Sequence, residues 1–196
     1  MIKDKLNKLM KEQITYPSFN DLQQRGIADM FEAMACRIIT DNFDDVKPAR
    51  GPKSIEDINI GDVYVDIKTS DESKKQKQPN MISVERLQSV VSSGQKLIYV
   101  FIIYNSKQAS IKEILCMDLY ELNVDHLTFG NLGTGQLQIN GVDKFLTSPK
   151  TTLTKEQWVS SVNKKTVDFY INLLKLTEER IKTTKSLDIN NSTSVY

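Results

Sequence analysis

Asp57, Asp66 and Lys68 are the residues whose types and spacing best suit chemistry. Two β-branched runs, Ile58-Asn59-Ile60 and Val63-Tyr64-Val65, flank Gly61-Asp62. Glycine at the first of two central turn residues marks a type II′ hairpin. Pairing 60 with 63 and 59 with 64 sets Asp57 opposite Asp66, with Cβ atoms ~4.5–5.5 Å apart. Lys68, two residues beyond Asp66, shares that face. Facing carboxylates repel unless something positive sits between them. A divalent cation with an ammonium beside it would meet that need, and the set suits metal-dependent phosphodiester hydrolysis: hard oxygen ligands for Mg²⁺ and a positive charge near the scissile phosphate. Asp62 is a rival first acid, but it stands at the turn, ~10 Å or more from Asp66 along the strand. An Asp-x-Lys alternation also occurs on strands that merely face water. The second acid in register and the apolar setting set this one apart.

This stretch resembles the active-site hairpin of the PD-(D/E)xK nuclease superfamily. Asp57 corresponds to its first acid and Asp66-Ile67-Lys68 to its (D/E)xK, and Val65-Asp66-Ile67-Lys68-Thr69 looks most like type II restriction endonucleases of the EcoRV and HincII type. Glu56 stands where the pattern has proline, and the linker between the acids is short. The resemblance implies that Asp57, Asp66 and the Ile67 carbonyl bind Mg²⁺, with Mn²⁺ able to substitute. It implies that Lys68 orients the attacking water and stabilises the charge of the pentacovalent state. It also implies a homodimer acting on double-stranded DNA, each subunit cutting one strand and leaving 5′-phosphate ends.

Several elements must position these groups. Ile2, Leu6, Leu9, Met10 and Ile14 recur at helical spacing, predicting a first amphipathic helix that ends before Pro17. A second helix, capped at Asn20 or Asp21, carries Leu22, Ile27, Met30, Phe31, Met34, Ala35 and Ile38 on its apolar side. Glu32 stands among them and is similar to the acid many enzymes of the superfamily contribute from the helix before the sheet; an ordinary surface glutamate is the alternative.

Thr40 to Lys53 reads as a connector rich in turn residues. Arg50, Lys53 and Ser54 at its end suit a phosphate clamp, or a solvated loop. After the hairpin, Lys74, Lys75, Lys77, Gln78 and Asn80 lie in a polar stretch that fits a DNA-contacting loop ordered on binding. A helix over Val84, Leu87, Gln88, Val90 and Val91, capped by Asn80 or Ser83, closes at Gly94. Leu97 to Tyr104 is then a strand buried on both faces, giving an α/β crossover. A further strand spans Ser110 to Met117.

Between about 126 and 145 the glycines match neither the GxGxxG nor the P-loop spacing. They let backbone approach a ligand closely, and Gln136, Gln138 and Asn140 alternate outward. The resemblance makes this a recognition loop presenting amides to bases; a glycine-rich β-turn is the plainer account. Thr154-Lys155-Glu156-Gln157 reads as a capping box opening a long terminal helix to about Lys185. The expected fold is α/β: a restriction-endonuclease-like mixed central sheet flanked by helices, with a long C-terminal helix. Residues 1–185 form one nuclease domain and 186–196 a flexible tail.

Composition bounds the function. Lys and Arg number 26 against 25 Asp and Glu, a formal charge of +1, so any basic surface must be local. Cys36 and Cys116 read as reduced core thiols, because no zinc-ligand spacing exists. A single histidine, His126, argues against Ser/His/Asp or Cys/His catalysis. Neither a signal peptide nor a membrane span is expected, which suggests a cytoplasmic protein with no membrane partner. The leading expectation is a type II site-specific deoxyribonuclease. A structure-selective nuclease (junction resolvase or nicking enzyme) and a non-catalytic DNA-binding module are the alternatives.

Overall fold

The structure, a computed structural model, describes residues 2–17, 24–49, 51, 54–74, 79–130 and 135–192. Its centre is a mixed five-stranded sheet in the order β1-β2-β3-β5-β6, built from β1 (Val46–Pro48), β2 (Ile58–Ile60), β3 (Val63–Asp71), β5 (Lys96–Asn105) and β6 (Ser110–Asp118). β3 and β5 run parallel and the other neighbours antiparallel. Between its polar ends, Lys96 and Asn105, β5 is apolar because both faces are covered, and residues 97–104 are buried without interruption.

One face of the sheet is covered by α1 (Ile2–Gln13) and α2 (Gln24–Asn42), whose Leu6, Met10, Phe31, Ala35 and Ile39 pack with Val63, Val65, Ile67, Val100 and Ile102. The cap expected for α2 at Asn20 or Asp21, and Leu22 with it, lie outside the described residues. The other face of the sheet takes Tyr99, Phe101 and Ile103 of β5 together with α3 (Val84–Ser93), α4 (Val142–Thr147) and the first turns of α5 (Lys155–Ser192). Trp158 is fully buried there, its indole N–H donating to the Leu122 carbonyl at 2.8 Å.

A small antiparallel sheet, β4-β8-β7, lies on the same side, from β4 (Asn80–Ser83), β7 (Leu127–Gly130) and β8 (Gln136–Ile139). β3, β4, α3 and β5 form the crossover between the parallel strands. α3 begins at its N-cap Ser83, whose hydroxyl accepts from the Arg86 amide, and stops at Gly94 with φ 69°. α5 opens with the reciprocal cap read from sequence: the Gln157 amide donates to Thr154 Oγ1, and the Thr154 amide to the Gln157 side-chain oxygen. It continues past Lys185 to Ser192, because neither glycine nor proline interrupts 155–192.

The connector expected over 40–53 contains β1, which pairs Lys47 with Asn59 and extends the hairpin to three strands. No described helix is long and apolar enough to cross a membrane.

Candidate active site

The hairpin forms in the expected register: Ile60 pairs with Val63, Asn59 with Tyr64 and Ile58 with Val65. Gly61 adopts φ 59° while Asp62 keeps a negative φ, as a type II′ turn requires. The turn is pinned from outside, since the Gly61 amide donates to the Asp45 carbonyl at 3.0 Å.

β2 stops at Ile58, and the Asp57 amide still donates to the Val65 carbonyl at 3.0 Å. The chain then bends, and the Asp57 carboxylate occupies the place a further strand residue would have taken. Its Oδ2 accepts from the Ile67 amide at 2.6 Å. Strand geometry sends the Ile67 carbonyl to that same vacated edge. A side chain substituting for the ladder thus holds Asp57 in the sheet plane and leaves an oxygen-lined notch at the edge of β3.

Asp66 lies within hydrogen-bonding range of Asp57 and is 2 % exposed. Lys68 Nζ donates to Asp66 Oδ1 at 2.5 Å. Burial pushes the Asp66 carboxyl up to about 8; Lys68 opposes this and the neighbouring Asp57 adds to it. Tyr99, paired with Asp66 on β5, is fully buried with no partner for its hydroxyl among the described residues, and burial followed by the Asp66 charge raises it well above the ordinary tyrosine range. Burial and the neighbouring acid thus disfavour the ionised form of Asp66 more than the single ammonium of Lys68 favours it.

Glu32, on α2, is exposed, and its charge is felt together with those of Asp57 and Lys68. Partial desolvation and then Asp57 raise its carboxyl above the ordinary range. One turn further on, Cys36 is half-buried and pushed up to about 11 by burial, with Asp57 and Glu32 adding to the effect. The sequence reading missed its closeness to the acids; the i, i+4 spacing from Glu32 was the available signal. Asp62 is exposed at the turn beside Lys96 at 3.5 Å, so the rival first acid stays apart.

Among the described residues, no group of three His, Cys, Asp or Glu side chains converges closely enough to enclose a metal. The carboxylates of Asp57 and Asp66 instead form a pair, each with one oxygen held by a donor, beside a backbone carbonyl. That set fits Mg²⁺, which usually keeps several waters and takes only one or two carboxylates from a protein.

The expected DNA contacts divide. Arg50, Lys53, Lys75, Lys77 and Gln78 lie outside the described residues. Ser54 closes a turn: its amide donates to the Gly51 carbonyl at 2.9 Å and its Oγ accepts from the Gly51 amide at 3.2 Å. The Ser54 carbonyl accepts from the Arg86 guanidinium at 2.9 Å, tying α3 to the segment that leads into Asp57. Lys74 is exposed beyond the end of β3.

Gln136 and Gln138 alternate with buried Leu137 and Ile139 on β8, as expected, and Asn140 follows exposed. Gln138 sits between Asn80 on β4 and Thr128 on β7, donating to the Asn80 side chain at 2.5 Å. A Cβ at Gly130 would come within 2.6 Å of the Gln138 amide, so glycine makes room for it. Asn80 and Gln138, 58 residues apart, therefore present one amide pair. No protein-family model matches the chain, and no curated protein sequence matches it significantly.

Proposed function

We propose that this protein is a Mg²⁺-dependent endonuclease of the PD-(D/E)xK kind, acting on double-stranded DNA as a type II restriction enzyme. The observation that carries the reading is the meeting of Asp57 and Asp66 at the vacated edge of β3, with Lys68 bonded to the more buried of them. Structural carboxylates are placed among donors. Here a buried acid has a second acid within hydrogen-bonding range and one ammonium beside the pair, an arrangement suited to a bound cation.

Asp57, Asp66 and the Ile67 carbonyl would hold the metal, which supplies Lewis-acid stabilisation of the phosphate and a more acidic bound water. The chain does the rest. The Ile67 amide fixes the orientation of Asp57, and Asp66 holds the Lys68 ammonium at the site. Lys68 orients a water by hydrogen bonding and offsets the charge that develops on the non-bridging phosphate oxygens. Glu32, whose charge is coupled to those of Asp57 and Lys68, would accept a hydrogen bond from a second water.

The Asn80 and Gln138 amides carry the chemistry needed to read base edges, and they support a sequence-specific enzyme over a structure-selective one. The test is incubation of plasmid and phage DNA with the protein in Mg²⁺, alongside Asp66→Ala and Lys68→Ala. Discrete fragments from the wild type alone are expected, with 5′-phosphate termini. Intact linear and branched DNA in both Mg²⁺ and Mn²⁺ would remove the catalytic reading.

A further inference from the structure

α5 carries a feature the site does not use. Its inner face, Trp158, Val162 and Thr166, is buried, and every described side chain from Leu174 to Ser186 is exposed. On the face turned away from the core, Val167 is 55 % exposed, Ile171 46 %, Leu174 61 % and Ile181 50 %. These belong to one unbroken 3-4 series: Lys164, Val167, Ile171, Leu174, Glu178, Ile181, Lys185. Written as heptads, the d positions Val167, Leu174 and Ile181 are apolar, while of the a positions Lys164, Ile171, Glu178 and Lys185 only Ile171 is. A helix draws most of its stability from packing an apolar face, and the outer half of α5 has exposed side chains all round.

The charges say what covers it. A parallel partner of the same sequence would stack Lys164, Glu178 and Lys185 each on its own copy in the centre of the seam. An antiparallel partner, with its two-fold axis near Leu176, sets Ile171 against Ile181 of the other chain and Glu178 against Leu174, so that no charged seam residue meets its own copy. It places Lys185 at the Val167 end and Asp168 opposite Lys182 on the flank. The remaining like-charge approach, Lys175 with its copy, lies on the axis, where a long stem can turn its head to water. Mutual burial of two such seams removes on the order of 1,000 Å² from water, the size at which specific interfaces begin.

We infer that α5 is the dimerisation element and that two copies of this chain pair through it as an antiparallel coiled coil. The pairing does not depend on the nuclease reading, because it draws on no residue of the Asp57–Asp66 site.

Sedimentation velocity on the full chain at micromolar concentration should give a species of twice 22.4 kDa. Leu174→Asp combined with Ile181→Asp should return it to 22.4 kDa, with an unchanged melting curve for the globular body, since both side chains are exposed. Direction is read by disulfide trapping. Val167→Cys mixed with Lys185→Cys should cross-link between the two variants, while Val167→Cys alone stays uncrosslinked. A monomeric wild type, a dimer that survives the double substitution, or self-linkage at position 167 would each overturn the inference.

Discussion

β3 carries two buried aspartates five residues apart, and they live under opposite regimes. Asp71, 7 % exposed, is surrounded by donors: the Ser73 amide at 3.0 Å, the Ser73 hydroxyl at 2.7 Å, the Ser106 amide at 3.2 Å and the Ser106 hydroxyl at 2.5 Å. Burial raises its carboxyl, but the bonds from Ser106 and Ser73 outweigh burial and hold it below the ordinary range. Asp66 has one ammonium, a second carboxylate and an unpartnered tyrosine hydroxyl around it, and it is pushed up to about 8. Burial is common to both. What separates Asp71, which staples the fold, from Asp66, for which we propose a role in chemistry, is whether neighbouring donors complete the carboxylate.

Removing each acid in turn tests this contrast most directly. Asp66→Ala and Lys68→Ala should each lower DNA cleavage by about 10³-fold in steady-state assays, whereas Asp71→Ala should leave the rate per folded molecule near wild type. Equal losses would erase the distinction.

Stability should move the other way. The folded pKa of Asp66 lies above its unfolded value, so the native state binds the extra proton between about pH 4 and about pH 8. Metal-free stability must therefore fall as pH rises through that window, by on the order of a few kcal/mol, since each tenfold difference in proton affinity is worth ~1.4 kcal/mol. Urea titrations in EDTA at pH 5 and pH 8 should show this decline, Asp66→Asn should flatten it, and Mg²⁺ should offset it. A wild type as stable at pH 8 as at pH 5 would contradict the frustrated site.

Asp71 works in the opposite sense. Its depressed pKa makes its contribution fully present above the ordinary carboxylate range and lost as pH falls below it. Asp71→Ala should cost about 1–3 kcal/mol near neutrality by stranding the donors of Ser73 and Ser106, read as a lower urea midpoint. The smallest effect concerns Glu32, which is exposed and for which only an assisting role is proposed. Glu32→Gln should reduce cleavage by about tenfold with little change in stability.

Much of the acid pair was legible in sequence because a hairpin is local. Alternation, a Gly-Asp turn and a period of two fix the register as far as Ile58 and Val65 and put Asp66 and Lys68 on one face, but the expected cross-strand pairing of Asp57 with Asp66 does not form: the ladder ends at Ile58 and the Asp57 carboxylate accepts from the Ile67 amide instead. The continuous apolar run of β5, the Ser83 and Gly94 caps of α3 and the Thr154 cap of α5 are equally local. Two kinds of feature escaped. β1 is three residues long, ends in proline and is half-buried at best, so it has no alternation to detect. The second sheet consists of four-residue strands, and β4 finds its partner β8 more than fifty residues away, so nothing in Asn80 announces Gln138. Asp71 reads as one more polar residue entering a loop until Ser106 arrives from the far end of β5.

The joint at Ser83 has a mechanical consequence. β4 passes into α3 with no intervening loop, and one turn into that helix Arg86 grips the Ser54 carbonyl, three residues before Asp57. A strand fused to a helix transmits displacement where a flexible loop would absorb it. The Asn80–Gln138 pair and the backbone leading into Asp57 are thereby joined through one strand–helix unit and a single hydrogen bond.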